Sequence, residues 1–135
     1  MFSVQFDDVS DAEALMRGAT LFKFTGPGES DPYFGSPQYA RALRALLDAI
    51  TLSHEESGNA RAAEGWRSQY RLAGHDERWK MVAEYVTRHP DWASMSEVQR
   101  SEWVAVVASP YWITASEMEI LVGGEENEGS RAASG

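Results

Sequence analysis

Three histidines stand next to acids, as His54-Glu55, His75-Asp76 and His89-Pro90-Asp91, and these are the first residues whose types suit metal or proton chemistry. A helical zinc site needs histidines at i and i+4 with a glutamate beside the first, and no pair here has that spacing. A di-iron bundle needs Glu-x-x-His on two helices, and that motif does not occur. Each histidine falls at an expected helix end or in a loop, where a cap or a solvated imidazole is the simpler reading, so no metal is expected. No Gly-x-Ser-x-Gly elbow marks a nucleophile. The absence of cysteine excludes disulfides, thiolate nucleophiles and cysteine-held zinc or iron–sulfur clusters.

Two weaker features remain. Thr25-Gly26-Pro27-Gly28-Glu29-Ser30 is glycine-rich but lacks the Lys-Ser/Thr ending of a P-loop. Pro27 removes an N–H that such a loop would use, and Glu29 repels phosphate, so a surface turn explains it better. Glu102, beside Trp103, is the acid best placed among apolar neighbours, but a solvated helix flank accounts for it. No catalytic residue and no cofactor is expected.

Charge is more informative. The 135 residues carry 12 basic and 21 acidic side chains, a net charge of −9, with the excess acid at the two ends. A chain of this sign repels nucleic acid and anionic membranes and suits a basic protein partner. Direct DNA binding would need a basic stripe. Arg61, Arg67, Arg71, Arg78 and Lys80 are interleaved with Glu64, Asp76, Glu77 and Glu84, which leaves little net potential. Two acidic clusters are candidate contact sites: Asp7, Asp8, Asp11 and Glu13 near the start, and Glu117, Glu119, Glu125 and Glu126 near the end. Tyr33, Phe34, Trp92, Tyr111 and Trp112 fall in expected loops or connectors, where aromatics serve either as binding anchors or as plugs for the ends of a small bundle.

The elements that must position these residues follow from periodicity. Phe2, Val4 and Phe6 alternate with polar residues and predict a short strand. A short helix capped by Ser10 or Asp11 follows, ending at Met16 or Arg17 with Gly18 as its stop. Residues 20–25 predict a second strand, which makes a strand–helix–strand unit. Ser36-Pro37 opens a helix over about 37–52, with Tyr39, Leu43, Leu46, Leu47 and Ile50 on one stripe. Further helices are predicted over 59–73 and 76–88, with Trp66, Tyr70 and Trp79 facing inward. Capping boxes at Ser96-Glu97-Val98-Gln99 and Thr114-Ala115-Ser116-Glu117 open two more, and a strand through Met118, Ile120 and Val122 competes with the second.

The expected fold is therefore mostly α (α+β), with a short N-terminal strand–helix–strand unit packed on four to five helices. Residues 1–124 form the expected domain, and 125–135 an acidic, flexible tail. No stretch is long and apolar enough to span a membrane, and the start MFSVQFDD lacks a signal-like pattern, so a cytoplasmic location is expected. Arginine supplies ten of the 12 basic residues and alanine is abundant, usage that points to a GC-rich bacterial or phage genome. The expected function is a non-catalytic acidic protein-binding module. A concrete form is a phage or mobile-element inhibitor or immunity-type factor whose carboxylates mimic nucleic acid on a basic partner. A small enzyme or ligand-binding domain with a pocket between the N-terminal unit and the helices is the alternative, and an assembly component is another.

Overall fold

Asp8 sets the start of the first helix. Its Oδ1 accepts the Ser10 N–H at 2.8 Å, and α1 runs over Val9–Lys23 in a computed structural model that describes residues 2–123. The expected strand–helix–strand unit is absent, and no strand occurs among the described residues. Residues 2–7 are exposed and belong to no helix or strand. Residues 20–23, expected in a second strand, instead continue α1. Thr20 Oγ1 donates back to the Met16 carbonyl at 2.7 Å, and the Phe24 N–H reaches the Thr20 carbonyl at 3.1 Å. The physical reason is the spacing of Ala12, Met16, Thr20 and Lys23, whose steps of four, four and three place all of them on the buried side of one helix. Gly18 does not stop it.

A single turn, α2 (Pro27–Ser30), and a 3-10 turn over Tyr33–Gly35 lead into α3 (Pro37–Glu56). Gly35 sits where a side chain cannot: a Cβ there would lie 2.9 Å from Trp103 Cη2 and 3.1 Å from the Tyr85 hydroxyl. Ser36 caps α3 through the Tyr39 N–H at 3.2 Å. Asn59 caps α4 (Ala60–Gln69) through the Ala62 N–H at 3.1 Å. After a 3-10 turn at Leu72–Gly74 come α5 (Asp76–Val86), a 3-10 turn at Trp92–Ser94, α6 (Glu97–Ala108) and α7 (Ala115–Gly123). The competing strand through Met118, Ile120 and Val122 is not formed.

Both expected capping boxes are present. Ser96 Oγ accepts the Gln99 N–H at 3.2 Å while Gln99 Oε1 accepts the Ser96 N–H at 2.8 Å. Thr114 and Glu117 exchange the same pair of bonds, at 3.2 and 3.3 Å. Ser96→Ala leaves the Gln99 N–H of the first turn of α6 without its side-chain acceptor and should cost about 1 kcal/mol. The urea midpoint of the variant measures it, and an unchanged midpoint would show that water replaces the cap.

Helix pairs α1–α3, α3–α4, α5–α6 and α6–α7 pack around one contiguous core. Met16, Phe34, Leu43, Ile50, Leu72, Val82, Val86, Val104 and Val107 are buried within it. On α6 the inward side is Val104, Val107 and Ala108, and Val98 is exposed. Leu72 enters the core after α4. Two segments distant in sequence are joined at the Arg71–Trp112 bridge, where Leu72 donates to the Trp112 carbonyl at 3.1 Å and Trp112 to the Tyr70 carbonyl at 2.8 Å. No helix of the described residues is long and apolar enough to cross a membrane.

Candidate protein-binding surface

The histidines do not converge. His54, on α3, meets Glu13 of α1 at 3.0 Å, both half-buried. His75 Nε2 lies 2.7 Å from the Gln69 carbonyl, and His89 Nδ1 accepts the Asp91 N–H at 3.1 Å with its ring edge-on to Trp103. Among the described residues no three His, Cys, Asp or Glu side chains are grouped to hold a metal ion.

Two clefts are lined by charged side chains. One of about 310 Å³ is lined by Arg44, Asp48 and Thr51 of α3, Glu64 and Arg67 of α4, and Trp112. Arg67 is held by Glu55 and, at 3.7 Å, by Glu64, and Arg44 leans on the Ala105 carbonyl at 3.4 Å. A wider groove of about 680 Å³ runs past His89, Asp91, Met95, Glu102 and Trp103. Glu102 is exposed on its rim.

Among the described residues the one deeply buried charge is on a residue the sequence did not single out. Lys23 lies at the end of α1, and its Nζ donates to the Ser109 carbonyl at 2.6 Å and the Val106 carbonyl at 3.0 Å. Both carbonyls belong to the end of α6, so the ammonium caps that helix where its dipole favours a cation. The rings of Phe24 and Phe34 lie 5.5 and 5.6 Å from it. Burial, reinforced by the positive charge of Arg44, lowers its pKa to about 7. The two carbonyls and two rings hold it as a structural plug.

The candidate contact residues divide. Asp7, Asp8 and Asp11 are exposed around the start of α1. The Ser10 N–H and then its hydroxyl hold the Asp8 carboxyl below the usual carboxylate range. Glu13 is turned toward His54 instead. In the second cluster Glu117 is half-buried, its Oε1 tied to the Thr114 hydroxyl at 2.9 Å, so it serves as a cap. Glu119 is exposed on α7, and Glu125 and Glu126 lie outside the described residues.

Of the loop aromatics, Phe34, Tyr111 and Trp92 are buried and belong to the core, which corrects their reading as anchors. Trp92 is covered by the Arg100 guanidinium at 4.4 Å. Tyr111 packs edge-on to Phe24 at 5.2 Å and receives a hydrogen bond from Arg78. Only Tyr33 and Trp112 reach the surface. Trp112 is tethered there by its indole N–H to the Arg67 carbonyl at 2.8 Å, and Tyr33 packs on Phe22 at 6.0 Å.

Comparison of the chain with family models, curated proteins and solved structures finds no match to any of them.

The apolar surface that does stand free was hidden by the strand reading. Leu15, Leu21 and Phe22 point outward from α1, and Phe2 and Val4 project from the segment before it. Once 9–23 is read as one helix the signal is plain, because α1 is apolar on both sides. A helix apolar all round is normally enclosed. Asp7, Asp8 and Asp11 border this surface, so an acidic edge and an apolar face share one end of the molecule.

Proposed function

We propose that this chain is a non-catalytic module that binds a basic protein, with Asp7, Asp8 and Asp11 standing in for nucleic-acid phosphates. The observation that carries this reading is the exposure of those three carboxylates together, with no ion pair to them among the described residues, on a chain of net charge −9. Complementary charge steers such an encounter and makes it weaken with salt. The described clefts, with their paired arginines and exposed carboxylates, offer less support for an enzyme.

The test is capture of a partner from nuclease-treated host lysate at low and high salt, with the native chain and with Asp7→Asn/Asp8→Ser/Asp11→Asn. Serine at position 8 keeps a capping oxygen, so α1 keeps its start. The native chain should retain one stoichiometric basic partner that high salt removes, and the triple variant should lose it by at least about tenfold. Equal capture by both chains, or capture indifferent to salt, would overturn the proposal.

A further inference from the structure

The outer face of α1 meets little of its own chain beyond Tyr33, which packs on Phe22 at 6.0 Å. Ala14, Leu15, Gly18, Leu21 and Phe22 occupy it, and none of them is charged. Leu15 is 52% exposed, Leu21 63% and Phe22 44%. Gly18 lies at its centre, and a Cβ built there meets nothing within 4 Å. Glycine weakens a helix interior, and nothing within this chain uses the space it leaves. Ahead of α1, Phe2 is 90% exposed and Val4 68%.

We infer that a second copy of this chain covers this face, the two α1 helices packing antiparallel across their Gly18 residues. Three observations favour a copy over the basic partner proposed above, and the inference does not depend on that proposal. First, the face is complementary to itself. An antiparallel crossing at Gly18 sets Leu15 against the other copy's Leu21 and Ala14 against the other copy's Phe22, so leucine meets leucine and the large ring meets a small residue. Closed two-fold pairing of one patch with itself is the commonest form of self-association.

Second, the area suffices. The exposed parts of Phe2, Val4, Leu15, Leu21, Phe22 and Tyr33 amount to roughly 700 Å² per chain, and two copies reach the size of stable interfaces. In such a dimer the segment before α1 closes over the other copy's Phe22 and Tyr33, which covers its exposed Phe2 and Val4.

Third, the charge pattern suits it. The face itself carries no charged side chain between Ala14 and Phe22, since Arg17 lies to one side with its guanidinium 4.7 Å from the Trp66 ring, and it offers a basic protein nothing to recognise. The acidic groups Asp7, Asp8 and Asp11 lie at the helix start, and an antiparallel pair holds the two sets at opposite ends. Two chains of −9 still repel each other at long range, so screening should tighten this association where it would loosen a contact with a basic partner.

Sedimentation of the full chain across the micromolar range, at low and at high salt, tests the inference. The native chain should form a dimer that tightens as salt is raised. Leu15→Glu/Phe22→Glu changes only outward-facing side chains. It should keep the native circular dichroism and weaken the dimer by about a hundredfold or more. Gly18→Leu has room in the single chain and blocks close approach, so it should fold and weaken the dimer by at least about tenfold. Asp7→Asn/Asp8→Ser/Asp11→Asn should leave the dimer intact, which separates failure here from failure of the partner proposal. A native chain monomeric at both salts, a dimer that loosens with salt, or a dimer that survives Leu15→Glu/Phe22→Glu in folded form would each overturn it. Loss of basic-partner capture by that double variant, with the native chain monomeric, would assign the face to the partner instead.

Discussion

Between pH 7 and about 9.5 the protein will become harder to unfold as the solution is made more alkaline, at up to roughly 1.4 kcal/mol per pH unit. The cause is Lys23. In the folded chain its ammonium gives up its proton at about pH 7, against 10.5 for the ordinary side chain. Below pH 7 both states hold the proton and the full cost of burying the charge opposes folding. Between the two values the unfolded chain holds the proton and the folded chain does not. Raising the pH therefore disfavours the unfolded state, and the penalty is relieved as 10.5 is approached. Tyrosines set the upper limit of the window. Burial raises the pKa of Tyr39, Tyr70, Tyr85 and Tyr111, so above the ordinary tyrosine range they pull stability down again. Urea midpoints at several pH values measure the slope, and Lys23→Met should abolish it. A flat native profile would mean that the carbonyls of Val106 and Ser109 keep the ammonium charged.

Phe34→Ala will remove about 3–5 kcal/mol of stability, while Tyr33→Ala, one residue away, will remove far less. Phe34 is completely buried, edge-on to Phe24 at 5.3 Å and to Tyr85 at 4.7 Å. Its ring closes one side of the Lys23 seat, so its loss leaves a cavity into which water can reach the amine. The variant should thus be both less stable and less sensitive to pH between 7 and 9.5. Tyr33 is half exposed and lies against Phe22 and Tyr39, and its truncation leaves no enclosed void. Denaturant unfolding of the two variants side by side is the measurement. Equal losses would show that the turn is held as a unit and not by the Phe34 ring.

What the sequence made legible was the chemistry that acts over three or four residues. Ser36, Asn59, Ser96 and Thr114 announce helix starts because a cap and its N–H partner are neighbours in the chain. The stripe of Leu43, Leu47 and Ile50 is legible for the same reason: one helix repeats its own period. The misread region was 2–25. Six residues of alternation suffice to suggest a strand but say nothing about a strand to pair with, and a helix apolar on both sides blurs the contrast that reveals its period. Phe34, Trp92 and Tyr111 sit in turns and connectors. Whether such an aromatic points in or out depends on the elements above it, which local spacing does not encode. Lys23 was illegible because the carbonyls that hold it are 83 and 86 residues further along. The Asp7, Asp8 and Asp11 cluster was visible as composition, whereas the diversion of Glu13 to His54 and of Glu117 to Thr114 depends on packing and capping.

That same distance has a consequence for a chain emerging from a ribosome. Helices α1, α3 and α4 contact one another through neighbours in sequence and can assemble as they appear. The far end of α1 cannot be finished then, because Lys23 must stay hydrated until Ser109 has been synthesised, and Ser109 also ties its hydroxyl to the Ala40 carbonyl at 2.9 Å. The nascent protein thus carries its first helix half-docked through most of translation. It dries the lysine only when the end of α6 arrives, with α7 and its core residues Leu121 and Val122 still to be added.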